Sequence, residues 1–385
     1  MDNIKQLFAD NVRKFGMIIA LAGIAILFQI LTGGKLLTPL NITNIIMQNS
    51  YIIILAIGMM IVIITGEIDL SVGSFAALIG AIAGVLLVTH DMPVYLAIII
   101  CLVLGALIGA WQGVWIAYFN IPSFIVTLGG MLTFRGLTLV VLGGKTLAPF
   151  PDEFRSLSSA FWPDWFNGGD YNIFAIVVGI IASIIFVLNE IRTRKTAIKY
   201  DLKRASSPLF ITKLVLFIMI INIFTFILSQ YAGIPYILII LILLILGYTF
   251  VMKNTVLGRR VYAVGGNMKA AQLSGIKTKK VKFLAFVNMG ILSALAGIVF
   301  AGRLNAATPQ AGNLFELDAI AAAVIGGASF TGGVGTIFGA VIGALVMGVL
   351  NNGMSLMGIG IDWQQAIKGL VLLLAVAFDV MNKKK

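Results

Sequence analysis

Residues 44–65 read NIIMQNSYIIILAIGMMIVIIT and contain no charged side chain. This length matches the roughly 20 apolar residues that an α-helix needs to cross about 30 Å of hydrocarbon. Because lipid offers the backbone no hydrogen-bond partners, such a segment has to be helical. The stretch therefore predicts a membrane-spanning helix.

Apolar runs of similar length recur along the whole chain. Hydrophobic residues make up 60% of the 385 residues and charged residues 11%, whereas a soluble domain carries about 25% charged residues. No polar interval is long enough to fold as a separate domain, so 1–385 is predicted to be a single transmembrane domain. Its fold class is all-α, a polytopic helical bundle of about twelve spans, of which 317–329 is short enough to be a half helix that re-enters the membrane. The predicted spans are 16–32, 44–65, 74–89, 93–118, 122–142, 171–189, 210–229, 234–252, 283–302, 317–329, 335–351 and 361–380.

Positive charge is distributed unevenly between the loops. The net charge is +12, and Lys and Arg number three in 1–15, six in 190–209, eight in 253–282 and three in 383–385. Loop 143–170 holds two, against four acidic residues. Since cytoplasmic loops retain Lys and Arg, the pattern predicts a multi-pass protein of the bacterial inner membrane, with both termini cytoplasmic and 143–170 outside.

The residue content excludes several chemistries. Cys101 is the only cysteine and His90 the only histidine, so one chain cannot build a His/Cys metal site. The ATP-binding signature G-x-x-x-x-G-K-[ST] is incomplete. Residues 144–146 match its end, but Leu139 occupies the position of its first glycine. Since the basic residues lie between apolar runs rather than along one face, nucleic-acid binding is not expected. We therefore predict a chain that is not an enzyme and that holds no metal or cofactor of its own.

Charged residues are scarce inside the predicted spans. An ion-coupled carrier would need carboxylates there, yet Glu67, Asp69, Glu316 and Asp318 lie at span boundaries. Arg135 is the clearest charge within an apolar run, and it is expected either to face protein or to extend its side chain to the membrane surface.

The first acidic motif, GEIDLSVGS at 66–74, stands directly before a small-residue span. Asp69 or Ser71 can cap the helix that follows, and the negative charge of Glu67 suits its N-terminus. The motif is predicted to be such a structural cap, and the alternative is a gate or a subunit contact.

The second acidic motif, Glu316 and Asp318, stands in the same relation to the small-residue helix 319–323. Trp-Gln follows the two motifs after 44 residues (111 minus 67) and 47 residues (363 minus 316), at 111–112 and 363–364. These matches hint at two inverted repeats.

Loop 253–282 contains a short helix signal, GGNMKAAQLSGI, starting at residue 265. Asn267 is suited to begin the helix and Gly275 to end it. A helix of about two turns is not stable alone, so it must dock on another protein unless it is a surface turn packed on its own bundle. The docking element is assigned to Gly266, Asn267, Ala270, Ala271, Leu273, Ser274 and Gly275, with Ala270, Ala271 and Leu273 as its apolar face.

Taken together, these motifs resemble those of the permease subunits of ribose- and xylose-type ABC importers. The resemblance covers essentially the whole chain, and the region 190–230 looks like the inserted pair of spans in xylose-type and multiple-monosaccharide permeases. The matching segments are 66–74, 121–128, 262–267, 273–276, 316–322, 324–335 and 351–354.

The resemblance implies a core of about ten spans plus two inserted ones, forming a gated path for a monosaccharide such as xylose or a related pentose or hexose. It implies a periplasmic or lipid-anchored sugar-binding protein, a second permease copy in a homodimer, and a separate ATPase subunit. That subunit would carry two fused nucleotide-binding domains with their ATP and Mg. By the same resemblance, the element in 253–282 is the coupling helix that docks on the ATPase.

If the resemblance holds, polar side chains in apolar surroundings are candidates for lining the sugar path. The alternative role for these side chains is hydrogen bonding between helices. The candidates are Ser123, Thr127, Asn305, Thr308 and Gln310. The cargo alternatives are a nucleoside or an autoinducer. An ion-coupled secondary sugar transporter is a further alternative, disfavoured by the scarcity of carboxylates within the spans.

Overall fold

The computed structural model describes residues 2–201 and 206–383, with side chains for 16–201 and 206–377, and most of these residues are helical. These residues form fifteen helices and no strand. The helices are α1 (Asp2–Leu31), α2 (Pro39–Ile64), α3 (Val72–Gly84, continued by a π-helical turn Val85–Thr89), α4 (Val94–Ala117), α5 (Ser123–Leu142), α6 (Asp152–Ser159), α7 (Ile173–Lys199), α8 (Ser207–Ser229), α9 (Tyr236–Asn254), α10 (Val256–Gly266), α11 (Met268–Leu273), α12 (Thr278–Leu304), α13 (Phe315–Ile325), α14 (Ile337–Leu356) and α15 (Ile361–Lys383).

Nine of the helices in the described residues are long and apolar enough to cross a membrane: α2, α3 with its π-helical turn, α4, α5, α7, α8, α9, α12 and α14. The predicted polytopic α-helical bundle is confirmed. Helices also occupy the other three predicted spans, as α1, α13 and α15. The helix that contains the predicted span 171–189 continues through exposed polar and basic residues to Lys199.

The helices divide between two compact units. The first unit comprises Met1–Leu36, Ile45–Ser159 and Ile237–Lys385, and the second comprises Leu37–Asn44 and Ala160–Tyr236.

In the first unit, α2 is almost completely enclosed, with 89% of its apolar window buried inside the chain. Gly58 lies so close to Met289 of α12 that a Cβ atom would be 2.6 Å from the Met289 sulfur. Nearer the start of α2, Asn49 lies directly against Gly348 of α14. The walls around this central helix are therefore built by α12 and α14, which come much later in the chain.

Small residues bring the backbones of α4 and α12 together. A Cβ atom on Gly290 of α12 would lie 2.8 Å from the Cα atom of Gly109, and one on Gly105 would lie 2.9 Å from the Gly290 carbonyl oxygen. Helices in lipid associate largely through such close packing, because lipid tails are as apolar as the side chains. The α4–α12 crossing therefore depends on the absence of side chains at these glycines.

We expect Gly290→Val to destabilise the protein strongly. The added side chain meets backbone atoms of α4 that cannot rotate away, and overpacking of this kind costs about 3 kcal/mol or more. Thermal unfolding in detergent would measure the effect. Gly129→Val is the control, because a Cβ atom at Gly129 meets nothing within 4 Å; equal melting temperatures for the two variants would contradict the prediction.

The short helix α13 begins inside the first unit, against the start of α3. A Cβ atom on Gly73 would lie 3.2 Å from the Phe315 Cβ atom. At eleven residues, α13 is about 16 Å long and cannot cross the hydrocarbon alone.

A re-entrant half helix would have to return, after α13, to the side of the membrane from which it came. The chain does not do so. The loop that follows, 326–336, reaches the end of α2, where the Gly333 N–H donates to the Ile64 carbonyl oxygen at 2.9 Å. It also reaches α10, where the Tyr262 hydroxyl donates to the Gly335 carbonyl oxygen at 2.8 Å. Since α10 lies at the end from which α12 starts, the segment 305–336 brings the chain back to that end, and α14 leaves from it.

The second unit contains an antiparallel pair of helices, α7 and α8, and the segment 160–172 that precedes α7 holds Asp164. Between the helices, the Asn222 side-chain amide donates to the Ser183 hydroxyl at 2.8 Å, and Lys213 pairs with Glu190 at 2.7 Å. Asp164 accepts backbone N–H bonds from Phe166, Gly168, Ile173 and Phe174, and these bonds, that of Gly168 above all, hold the pKa of Asp164 below its ordinary value. The predicted insertion 190–230 falls within this unit.

Candidate functional site

The helix predicted in loop 253–282 is present as α11, six residues long. The Asn267 side chain accepts the Ala270 N–H at 2.9 Å, and this bond caps the helix. Gly275 has φ +81°, a left-handed conformation that favours glycine, and the Ile276 N–H closes the turn on the Ala271 carbonyl oxygen at 3.0 Å. The predicted start and stop of the helix are confirmed.

The apolar face predicted for α11 is divided between two sides. Leu273 is 90% exposed and Ala270 is exposed, whereas Ala271 is only 5% exposed because it packs on its own chain. The prediction that Ala271 shares the outward face was wrong. The flanking residues Gly266 and Ser274 are exposed, and the ATPase-coupling role assigned to the element remains a prediction.

The end of α10 anchors α11 to the first unit. A Cβ atom on Gly265 would lie 2.6 Å from the Gly333 nitrogen, and Gly265 also lies against the Ile64 carbonyl oxygen. Only two residues, Gly266 and Asn267, separate Gly265 from Met268, the first residue of α11. A displacement of α11 would therefore be transmitted to the end of α2 and to the loop that joins α13 to α14.

The segment before α3 forms a buried polar network. Asp69 is 2% exposed, and one of its oxygens, Oδ1, accepts the Ser71 N–H at 2.8 Å and the Ser71 hydroxyl at 2.7 Å. Burial raises the pKa of Asp69 to about 6, although the bonds from Ser71 oppose the shift. The Gln112 side-chain amide donates to the Ser71 hydroxyl at 2.8 Å and ties α4 to the network.

The prediction that a side chain of this segment caps α3 was wrong. Ser71 occupies the N-cap position of α3, but its side chain makes no capping bond. Its hydroxyl is engaged by Asp69 and Gln112 instead. Gln112 was missed as a member of this site, and the recurrent Trp-Gln pair at 111–112 was the signal that could have found it.

Two further contacts hold the same segment. Glu67 pairs with Lys282 near the start of α12. The Ile68 N–H donates to the Ser123 hydroxyl at the start of α5, at 3.2 Å. The segment 66–71 is thus fastened to α4, α5 and α12, and its role as a gate or subunit contact remains a prediction.

The second acidic motif lies in the first turn of α13. Asp318 is 4% exposed and pairs with Lys368 of α15 at 3.1 Å. Glu316 is 7% exposed, and its Oε2 atom has no hydrogen-bond partner within the described residues. The Arg135 guanidinium donates to the carbonyl oxygens of Pro309 and Ala311, at 3.2 and 2.6 Å. Arg135 faces protein as predicted and holds the loop that leads into α13.

The five predicted path residues do not form one cluster. Ser123 and Thr127 are buried in the first two turns of α5, where the Thr127 hydroxyl donates to the Ser123 carbonyl oxygen at 2.9 Å. Asn305 follows α12 and accepts the Phe150 N–H at 2.9 Å, while Thr308 is half-buried and Gln310 is exposed in the same loop. Arg135, about 12 Å beyond Thr127 along α5, is the residue that contacts this loop. The path assignment of all five residues remains a prediction.

Helix pairing follows a similar order in the two halves of the first unit. Each acidic motif immediately precedes or begins a small-residue helix, α3 or α13. In the first half α4 packs on α12, and in the second half Gly348 of α14 lies against Asn49 of α2. The correspondence is incomplete, because Gln364 bonds to Ser355 and to the Ile359 carbonyl oxygen rather than to α13.

Comparison with known proteins gives one consistent family. The model of a family described as "Branched-chain amino acid transport system / permease component" matches residues 41–194 and 158–376. No solved structure matches the chain.

Curated relatives match over nearly the full length. The chain is 43% identical over 381 residues to the xylose transport system permease protein XylH of Haemophilus influenzae, covering 99% of both chains. It is 41% identical to XylH of Escherichia coli K12, covering 97% of this chain and 93% of that protein. It is 36% identical to the ribose import permease protein RbsC of Escherichia coli K12, covering 90% and 86%.

Proposed function

This chain belongs to the branched-chain amino acid transport system/permease component family, and we propose that it forms the membrane path of an ATP-driven xylose importer. It is a transport subunit of the inner membrane rather than an enzyme. The assignment of xylose as the transported sugar rests on the 43% identity to a xylose permease over 99% of both chains, against 36% identity to the ribose permease.

An ATPase subunit and a sugar-binding protein complete the importer. We place the ATPase against α11, because Leu273 is an apolar side chain 90% exposed on a capped helix too short to be stable alone. ATP and Mg belong to that subunit, with two fused nucleotide-binding domains, and this chain holds neither. The binding protein delivers the sugar on the opposite side of the membrane, from the periplasm or from a lipid anchor.

Movement of α11 is proposed to open the path alternately to the two sides. The Gly265 contact passes the displacement to the end of α2 and to the loop before α14. The buried starts of α3 and α13, with Asp69, Glu316 and Asp318, form the gate. A second permease copy forms the other wall of the path.

Both termini, α11 and loop 326–336 are proposed to be cytoplasmic, and 143–170 external. We expect a reporter enzyme that works only outside the cytoplasm to be active when fused after Asp164 and inactive after Asp201. These positions stand at opposite ends of α7. The reverse activities, or activity at both positions, would contradict the orientation.

Reconstitution would test the function. The permease, its ATPase and its binding protein would be placed in proteoliposomes, and uptake of labelled xylose measured with and without ATP, with labelled ribose as the matched sugar. We expect uptake of xylose that requires all three proteins and ATP. Xylose uptake by the permease alone would indicate a secondary carrier, and ATP-dependent uptake of ribose but not xylose would refute the cargo assignment.

A further inference from the structure

A cavity of about 260 Å³ lies in the first unit between α2, α9, α10 and α12. Its lining is apolar, with side chains such as Val251, Val261 and Val281, apart from the polar groups of Tyr248 and Asn288. An apolar cavity of this kind suits a hydrocarbon chain and offers a sugar very few hydrogen bonds.

One polar atom in the cavity is left without a partner. The Tyr248 hydroxyl donates to the Asn288 Oδ1 atom. The Asn288 Nδ2 atom is buried and has no hydrogen-bond acceptor among the residues that the structure describes. Buried amide groups are nearly always bonded, so this donor is available to an acceptor on a molecule that enters the cavity.

Basic residues adjoin the residues that line the cavity. Lys253 directly follows Met252, Arg260 directly precedes Val261, and Lys280 directly precedes Val281. All three basic side chains are exposed, and none lies in an ion pair within the described part of the chain.

No acidic residue occurs in the surrounding segment 253–282. An acidic partner for these side chains must therefore come from elsewhere. The ion pair of Glu67 with Lys282 occupies a different basic residue of the segment.

We propose that this cavity binds an anionic phospholipid. An acyl chain occupies the apolar cavity, its ester carbonyl oxygen accepts a hydrogen bond from Asn288, and its phosphate lies among Lys253, Arg260 and Lys280. A free phosphate would not fill the apolar cavity, and a lipid without net negative charge would not offset the charge of the three basic side chains. Since the cavity adjoins α10, which carries α11, the bound lipid braces the helix that anchors the coupling element.

Lipid titration of the purified, delipidated permease would test the site. Phosphatidylglycerol and phosphatidylcholine with identical acyl chains would be added, and bound lipid counted by native mass spectrometry together with the melting temperature. We expect the wild type to bind phosphatidylglycerol in preference to phosphatidylcholine. Each of Arg260→Gln and Lys280→Gln should weaken that binding about fivefold, because a basic residue near a lipid headgroup contributes about that factor. Lys145→Gln, an exposed change in the loop before α6, should leave it unchanged.

Filling the cavity is the second arm of the test. Ala285 lines the cavity and is 3% exposed, so Ala285→Phe should remove the preferential binding of phosphatidylglycerol. If that variant does not fold, the exposed Arg260→Gln/Lys280→Gln double variant decides the question. Equal binding of the two lipids by the wild type, or unchanged binding of phosphatidylglycerol by the double variant, would overturn the proposal. Loss of ATPase co-purification with unchanged lipid binding would assign these basic residues to a protein interface and refute the lipid site.

Discussion

Replacing Leu273 with Asp is expected to abolish ATP-driven sugar uptake while the permease stays folded and inserted. Leu273 is 90% exposed, so the new carboxylate remains in water in the isolated permease. Once the ATPase covers it, an unpaired buried charge costs several kcal/mol, which predicts a loss of at least about 100-fold in uptake. Uptake by reconstituted proteoliposomes and co-purification of the ATPase would be measured together.

Two matched variants separate loss of docking from loss of folding. Leu273→Met keeps an apolar side chain of similar size and should retain uptake. Ala271→Asp should instead lower the melting temperature of the permease alone, because Ala271 packs on its own chain. Normal ATP-dependent uptake by the Leu273→Asp protein, reconstituted with its partners, would show that α11 is not the coupling element.

Removing the cation from the α13–α15 ion pair is expected to destabilise the permease by about 3 kcal/mol or more. Lys368→Met leaves the Asp318 carboxylate without its ion-pair partner at a position only 4% exposed. The double variant Asp318→Asn/Lys368→Met should recover most of the loss, since it leaves no charge to compensate. Unfolding in detergent would measure all three proteins.

The control for these variants is the more exposed ion pair of the second unit. Lys213 pairs with Glu190 but is far more exposed than Lys368, so Lys213→Met should cost less than about 1 kcal/mol. If Lys368→Met cost no more than Lys213→Met, the α13–α15 pair would not be a structural joint.

The features that the sequence predicted correctly are those fixed by local chemistry. Span positions follow from the length of apolar runs, and the start and stop of α11 follow from Asn267 and Gly275, whose bonds reach no farther than four residues. The inward side of α11 could not be predicted. At six residues the helix has fewer than two turns, and its periodicity does not identify a buried face.

The buried networks escaped prediction because they join residues far apart in the sequence. Ser71 was assigned to capping from its neighbours, but its hydroxyl is bonded by Gln112, 41 residues away. Arg135 reaches carbonyl oxygens 174 and 176 residues later. Asn305 was assigned to the path for its polarity, yet it accepts a bond from the backbone of Phe150. Such pairs depend on how helices are arranged, which residue type alone does not specify.

The enclosure of α2 has a consequence for biosynthesis. Gly58 is covered by Met289, which the ribosome adds 231 residues later (289 minus 58), and Asn49 is covered by Gly348 later still. At a translation rate of about 5–20 residues per second, α2 spends roughly 10–50 s in the bilayer before Met289 of α12 is synthesised. During that interval its amide side chains face lipid or a membrane insertase, so α2 is inserted early but reaches its final packing only when the last third of the chain has been translated.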